Sequence, residues 1–463
     1  MMEDAASLSA PRSSTGEEFQ SDSRVGTEFP RAGQAQAAAP AAPPQTERRR
    51  KPRIPQTPPP PPSPPRLEDY EPIIGRAQLD ELRFLAKALQ KKTAKMVNST
   101  AVGGGVAEML NRLVPLLNEL EVDTHWEVLT GGNDFFEVTK AFHNALHGGE
   151  YTLSKSAQDV FLLTGEQNRQ RMKFEEDVVI VHDPQPLDLI RSKSAAGRWI
   201  WRCHIDLSNP NPEVWGFLRP MVEQFDAAVF SSPEFTKRLP TSQYLLYPCI
   251  DPLSEKNKEL EESYIQKVCD DFGVDRSRPI VTQISRFDRL KDPVGVIQAY
   301  KMAKKYVDCQ LVLAGGGASD DPEGAAVLKE VNEAAGGDPD IVVLNLPPWS
   351  GLEINAIQRA STVVVQKSLK EGFGLTVTEA LWKGKPTIGG AVGGIPTQII
   401  DKLTGVLVQS VEGCAYQIRY LLTHMDFARQ LGNNGREHVK ENFLMTSNAR
   451  RWLILFRILL GLN

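Results

Sequence analysis

The sequence predicts an α/β protein built from two doubly wound parallel sheets that face each other across a cleft. Three observations predict it. From Leu67 onward, short apolar runs of strand length alternate with longer helical stretches, the pattern of parallel sheets covered by helices. The runs fall into two sets separated by Tyr247-Pro-Cys-Ile-Asp-Pro252, where the alternation breaks. Glycine-rich, basic or His/Asp-bearing segments follow several strands directly, and doubly wound sheets bind ligands where loops leave the carboxyl ends of strands. A chain of 463 residues suits two such domains once an N-terminal tail is set aside.

Residues 1–66 are rich in Ala, Ser, Gly and Pro, with a basic cluster Arg48-Arg49-Arg50-Lys51 and a proline run from Pro58 to Pro62. Such a composition cannot pack a core and reads as a disordered, partly extended tail. The first domain is expected over 67–253, with strands near Ala94–Asn98, Trp126–Leu129, Val178–His182, Trp199–His204, Ala227–Phe230 and Tyr244–Tyr247. The second is expected over 254–440, opening on a helix-forming run at Lys256–Lys267. Its strands fall near Ile280–Ser285, Gln310–Ala314, Ile341–Leu344, Thr362–Val365, Pro386–Gly389 and Val406–Val408. Residues 441–463 carry the apolar run Trp452–Leu460, interrupted by Arg457 and too short to span a bilayer, so a helix packing back toward the first domain is expected.

A formal charge of -5 offers no general attraction to phosphate backbones, so nucleic acid is not an expected partner. The five cysteines are isolated and odd in number, without a Cys-x-x-Cys pair, and read as reduced, buried thiols rather than disulfides or zinc ligands. The N-terminus is acidic at Glu3 and Asp4 and lacks an apolar core, so neither a signal peptide nor a transmembrane helix is expected, and the location reads as cytoplasmic.

In the second half, Ser285-Arg286-Phe287-Asp288 ends a strand and Lys291 follows just before a helix that begins near Pro293. Arg forks onto oxygens and Lys acts as a point charge, so the pair suits a diphosphate at a helix N-terminus, although basic residues there are often simply solvated. A sharper signal is Glu371-Gly372-Phe373-Gly374-Leu375-Thr376-Val377-Thr378-Glu379, which follows the Val363–Gln366 strand and opens a helix. Its glycines let backbone approach a ligand, its free amides suit phosphate or sugar oxygens, and its two carboxylates suit sugar hydroxyls. A tight turn with dipole-favoured acids explains Glu371 but not the whole set. A second glycine loop, Gly389–Pro396, is expected to line the same edge.

In the first half, Gly103-Gly104-Gly105 sits between a strand and the helical run Val106–Leu120, suited to a phosphate or sugar but common as a plain connection. Val181-His182-Asp183-Pro184-Gln185-Pro186 and Trp201-Arg202-Cys203-His204-Ile205-Asp206 end adjacent strands, which makes His182, Asp183, Gln185, His204 and Asp206 candidates for one sugar site. The aromatic and polar cluster Phe135–Asn144, with His143 and Asn144, reads equally as a sugar surface or a partly buried helix.

The clamp Ser-Arg-Phe-Asp-x-x-Lys, followed by Glu-Gly-Phe-Gly-Leu with a second Glu eight residues on, resembles the retaining GT-B glycosyltransferases. Their fold is two facing Rossmann-like domains. The resemblance implies that Arg286 and Lys291 hold the donor diphosphate, that Glu371 contacts the transferred sugar and that Glu379 contacts the ribose. The series Gly-Gly-Gly-Val-Ala-Glu, Phe-His-Asn-Ala-Leu, Val-His-Asp-Pro-Gln-Pro, Trp-Arg-Cys-His-Ile-Asp-Leu-Ser and Asp-Asp-Pro-Glu-Gly narrows it, from about Tyr70 to the end, to the trehalose glycosyltransferring synthases.

What the resemblance implies is a retaining transfer of glucose from a nucleoside diphosphate glucose to free glucose. His182, Arg286, Lys291 and Glu371 are then the catalytic set. Gly104, Gly105, Gly372, Phe373, Gly374, Leu375, Thr376 and Glu379 join the clamp in binding donor, while Asp183, Gln185, His204, Asp206, His143 and Asn144 bind acceptor. No metal site or obligatory cofactor is expected, Mg2+ entering only with the nucleotide, and a homodimer stays open. Three alternatives remain: a trehalose phosphorylase using inorganic phosphate and glucose 1-phosphate, a glycolipid-forming transferase, which would want a basic amphipathic face, and a non-catalytic sugar-binding scaffold.

Overall fold

The computed structural model describes residues 64–101, 104–316 and 322–462. The proline-rich tail up to residue 63, Gly103 and the Asp320-Asp321 pair lie outside these residues.

Two parallel sheets of six strands each form the framework. The first contains β1 (Thr93–Asn98), β2 (Asp123–Val128), β3 (Val178–His182), β4 (Arg198–Arg202), β5 (Ala227–Phe230) and β6 (Ser242–Leu245) in the order β2-β1-β3-β4-β5-β6. The second contains β7 (Ile280–Ile284), β8 (Gln310–Gly315), β9 (Ile341–Asn345), β10 (Val363–Gln366), β11 (Thr387–Gly390) and β12 (Val406–Val408) in the order β12-β11-β10-β7-β8-β9. Strands such as Val178–His182 and Ile280–Ile284 are buried along their whole length, as strands covered on both faces must be, and their β-branched side chains suit that crowding.

Strand order locates the ligand positions. In each sheet the winding reverses once, between β1 and β3 in the first and between β7 and β10 in the second. Loops leave in opposite directions on either side of such a reversal and open a crevice at the carboxyl ends of the strands. The sequence places Gly104-Gly105 and His182-Asp183 after β1 and β3, and Arg286–Lys291 and Glu371–Leu375 after β7 and β10.

One expected element differs. Lys256–Lys267 is not continuous helix; turns run through residues 252–257 and the helix begins at Glu262, ending at Phe272. The reason is competition for carbonyls. Asn355 Nδ2 donates to the Glu255 and Lys258 carbonyls at 2.8 Å each, and Arg359 donates to the Asn257 and Lys258 carbonyls at 3.2 and 3.0 Å. Those oxygens are the acceptors a helix through Lys256 would need. The connection is thereby fastened to the second sheet's helices.

The chain crosses again near its end. Ile250 N donates to Phe443 O, and Met445 N to Ile250 O, each at 2.9 Å, so the two crossings lie side by side. The following helix Met445–Leu460 buries Trp452, Leu453, Leu455 and Phe456 in the core that also holds Leu79, Leu82, Leu113 and Leu117 of the first half. All five cysteines are buried and unpaired. Among the described residues no helix is long and apolar enough to cross a membrane.

Candidate active site

After β7 the chain makes a tight turn that presents its cations. Asp288 Oδ1 accepts from Leu290 N at 2.8 Å, and Gln283 Nε2 donates to the Lys291 carbonyl at 2.8 Å. Asp292, in the left-handed region at φ 51°, caps the helix Pro293–Lys304 by accepting from Gly295 N at 3.1 Å and forms an ion pair with Lys367. Lys291 Nζ reaches both Glu371 oxygens, at 2.8 and 2.7 Å, and Ser368 Oγ donates to Glu371 Oε2 at 3.0 Å. Arg286 stands beside them with its side chain 67% exposed and a 3.3 Å contact to Asp288 Oδ2.

The loop after β10 ends at Gly374, whose φ of 87° lets it cap the helix Leu375–Trp382, a conformation strained for any residue with a Cβ. The second glycine loop packs directly against it: Gly394 N donates to Glu371 O at 3.2 Å, and a Cβ on Gly394 would lie 2.7 Å from Phe373 Cα. Glu379, one turn into the helix, is 3% exposed. Burial raises its carboxyl, opposed by the charges of Lys256 and Lys383. The same burial brings Lys383 down to about 7 against the Glu379 carboxylate.

From the first sheet, His182 and His204 stack with ring planes 13° apart, and His182 Nδ1 lies 3.0 Å from His204 Nε2. One of these nitrogens must donate and the other accept. Asp183 follows His182 in the left-handed region at φ 63°; its Oδ1 accepts from His204 N at 2.7 Å and its carbonyl from Trp201 Nε1 at 3.0 Å. These bonds lock two adjacent strand ends into one unit. Beneath them lies Arg202, 2% exposed, donating to the Cys203 and Val229 carbonyls and to Ser231 Oγ at 3.2, 3.3 and 3.0 Å. Burial, with Arg202 adding to it, holds His182 down to about 3 and His204 well below the usual imidazole range. Burial also lifts Asp183 to about 6. Both rings are thus neutral at physiological pH.

The halves meet at these loops. A Cβ on Gly105 would lie 3.0 Å from Leu375 Cδ1, and one on Gly372 would lie 2.7 Å from the His204 carbonyl oxygen and 4.0 Å from His147 Cε1. Lys370 Nζ donates to the His147 carbonyl. Lys256 Nζ pairs with Glu108 Oε2 at 2.7 Å, tying the connection to the helix Gly105–Glu119. His143, on the helix Asn133–Leu146, is brought down to about 3 by burial and then by its neighbour His147, with Arg286 and Lys291 contributing.

The sequence-named residues therefore gather at the two crevices: His143, His182, Asp183, His204, Gly104 and Gly105 from the first sheet, and Arg286, Lys291 and Gly372–Leu375 with Glu371 from the second. Asp206 is 9% exposed, with Oδ1 accepting from Ser208 N at 2.8 Å, and Gln185 Oε1 is buried without a partner among the described residues. Thr376 Oγ1 donates to Gln366 Oε1 at 3.3 Å, at the start of the helix. Asn144 is exposed, and its carbonyl serves to accept from Gly149 N at 2.9 Å. Sequence reasoning passed over His147, Lys370, Ser368, Arg202 and the Lys256–Glu108 pair. Only His147-Gly148-Gly149, a histidine against two glycines at a helix end, carried a signal.

Comparison with known proteins agrees with this architecture. Residues 96–237 match the family model for the N-terminal domain of trehalose synthase, and residues 267–438 match that for glycosyl transferases group 1. A trehalose synthase from Thermococcus litoralis is 46% identical over 396 residues, covering 84% of this chain and 96% of that protein. A trehalose phosphorylase from Pleurotus pulmonarius is 29% identical, covering 84% of this chain and 60% of its own length. Among solved structures, sucrose-phosphate synthase from Thermosynechococcus elongatus shares the fold with a TM-score of 0.60 at 19% identity, over 80% of this chain and 99% of that one.

Proposed function

Because the chain belongs to the trehalose synthase family of GT-B glycosyltransferases, we propose that it transfers glucose from a nucleoside diphosphate glucose to free glucose with retention, forming α,α-trehalose. The observation that carries the reading is the pairing of Lys291 with Glu371 at one strand reversal, against a loop whose Gly372 abuts His204 from the other. A cation for a diphosphate and a carboxylate for sugar hydroxyls thus border the same space as two neutral imidazoles.

In the proposed reaction the bond between glucose C1 and the diphosphate oxygen breaks, with its electron pair leaving on that oxygen. The anomeric hydroxyl of the acceptor attacks C1 from the same face, and its proton passes to the departing phosphate. Retention by double displacement would instead need two carboxylates about 5 Å apart flanking the bond. Arg286, Lys291 and the amides at the start of the Leu375–Trp382 helix stabilise the charge developing on the diphosphate. Lys291 Nζ pairs with Glu371, so a donor phosphate would compete with that carboxylate for Nζ and turn Glu371 toward glucose hydroxyls. His182, neutral and with Nε2 unpartnered, is suited to a hydroxyl of the same sugar. Mg2+ enters this scheme only as a companion of the nucleotide.

The test is incubation of the protein with ADP-, UDP- or GDP-glucose and glucose, followed by identification of the disaccharide. Trehalose is expected, and its absence with every donor rejects the reading. The likeness to a trehalose phosphorylase supports one competitor, in which inorganic phosphate cleaves trehalose to glucose and glucose 1-phosphate. Release of glucose 1-phosphate from trehalose and phosphate, without nucleotide, would establish it.

A further inference from the structure

We infer that His147 is a substrate-binding residue for the acceptor sugar, an assignment that rests on the transfer reaction proposed above. His147 closes the helix Asn133–Leu146: its N–H donates to the His143 carbonyl at 3.1 Å, and the chain then turns through Gly148 at φ 88°. Nothing in that capping role requires an imidazole.

The side chain nevertheless sits in a specific setting. Its ring lies 4.8 Å from the His143 ring, and its Cε1, the carbon between the two ring nitrogens, would lie 4.0 Å from a Cβ on Gly372 of the opposing half. The titratable groups that face it come from four segments: Asp206 after β4, Lys291 after β7, and Lys370 and Glu371 after β10, with His143 from its own helix. Glu371 and Lys291 form the pair assigned above to the transferred sugar and the diphosphate. His147 thus borders the place where donor sugar and acceptor must meet, on the side belonging to the first half.

Nδ1 of His147 is shielded from solvent and has no hydrogen-bond partner among the described residues. A buried polar nitrogen left unpaired is costly, and most such groups in folded proteins are satisfied. His182 Nε2 and Gln185 Oε1 are likewise unpaired. Each is the kind of atom a sugar hydroxyl can satisfy, since a hydroxyl both donates and accepts. The Lys370 bond to the His147 carbonyl adds a consequence: the backbone that carries the ring is held by the same loop that carries Glu371.

The experiment is steady-state kinetics of the full chain with varied glucose and varied nucleotide-glucose, for wild type, His147→Ala and His147→Asn, with thermal unfolding of each. The Asn amide can replace a hydrogen bond made at Nδ1. For His147→Ala the KM for glucose should rise about ten-fold, the size expected for a lost hydrogen bond with its partner left unpaired, while the KM for donor changes less than about two-fold. His147→Asn should recover most of the loss. Glucose KM within about two-fold of wild type in both variants, or equal rises in both KM values, overturns the assignment. If wild type makes no disaccharide, the functional reading fails separately and calorimetric titration of glucose in the presence of nucleoside diphosphate decides. Weakened binding in His147→Ala sustains the inference, and glucose that binds both proteins equally, or neither, ends it.

Discussion

At the scale of single residues, two side chains separate catalysis from stability. Arg286 is exposed and among the described residues pairs with Asp288 alone, so Arg286→Ala should leave the unfolding temperature nearly unchanged. If it stabilises charge on the diphosphate, kcat/KM should fall by about 10²–10³, the range for removing one preorganised donor. A variant with normal turnover would remove Arg286 from the clamp. Asp183 makes a pH-dependent prediction. Burial raises its pKa from 3.8 to about 6, so the folded state holds a proton that the unfolded state releases between those values. Its contribution is therefore fully present below 3.8 and lost as pH rises through 6, a swing of roughly 3 kcal/mol. Asp183→Asn keeps an oxygen for His204 N but has no charge to bury. Its unfolding temperature should exceed that of wild type at pH 7.5, and the gain should vanish near pH 4; a gain independent of pH would contradict the buried-carboxylate account. His182 and Asp183 were legible in the sequence because they end a strand beside a second His/Asp strand end. Arg202 was not, since a buried guanidinium satisfied by carbonyls looks like any strand-end arginine until its neighbours are known.

At the scale of elements, the strands were the most legible part, because fully buried β-branched runs have few other ways to fold. Val178–His182, Ala227–Phe230 and Val406–Val408 coincide with their expected bounds, and the other nine strands shift by one to three residues at one end or both. The run at Lys256–Lys267 shows where local pattern fails. Its helix-forming residues are overruled by Asn355 and Arg359, about a hundred residues away, which no local window can reveal. The loop after β10 was legible as a glycine turn, but not the reason for each glycine. Gly374 is needed for its positive φ, whereas Gly372 is needed for space against the His204 carbonyl. The two should therefore fail differently. Gly372→Ala should leave the unfolding temperature close to wild type, since the Glu371 loop can withdraw from the other half, while kcat/KM collapses because the crevices no longer meet. An active Gly372→Ala enzyme would show that this approach is not required.

At the scale of the molecule, the question is what holds the two crevices together before ligand arrives. The connection is fastened to the second half through Asn355, Arg359 and Lys383, so Lys256 moves with that half while Glu108 moves with the first. Burial alone would lower the Lys256 ammonium, yet Glu108 and then Glu379 raise it above the usual lysine range, which marks a favourable pair across the cleft. The halves are also joined at two adjacent crossings, where Ile250 and Leu444 pair through their backbones. Rotation about such a crossing leaves the sheets intact and changes only the contacts at the cleft, as in hinge closure of two-domain proteins. Glu108→Ala removes one of those contacts from a partly exposed site, an effect of about 1 kcal/mol or less. A balance between open and closed arrangements shifts by up to about five-fold for such a change. The radius of gyration of ligand-free Glu108→Ala in solution scattering should therefore exceed that of wild type. Nucleoside diphosphate with trehalose, which bridges both halves in the proposed site, should return the two proteins to the same value. Identical scattering in the free state would mean that Lys370, His147 and the glycine contacts hold the cleft without help from the Lys256–Glu108 pair.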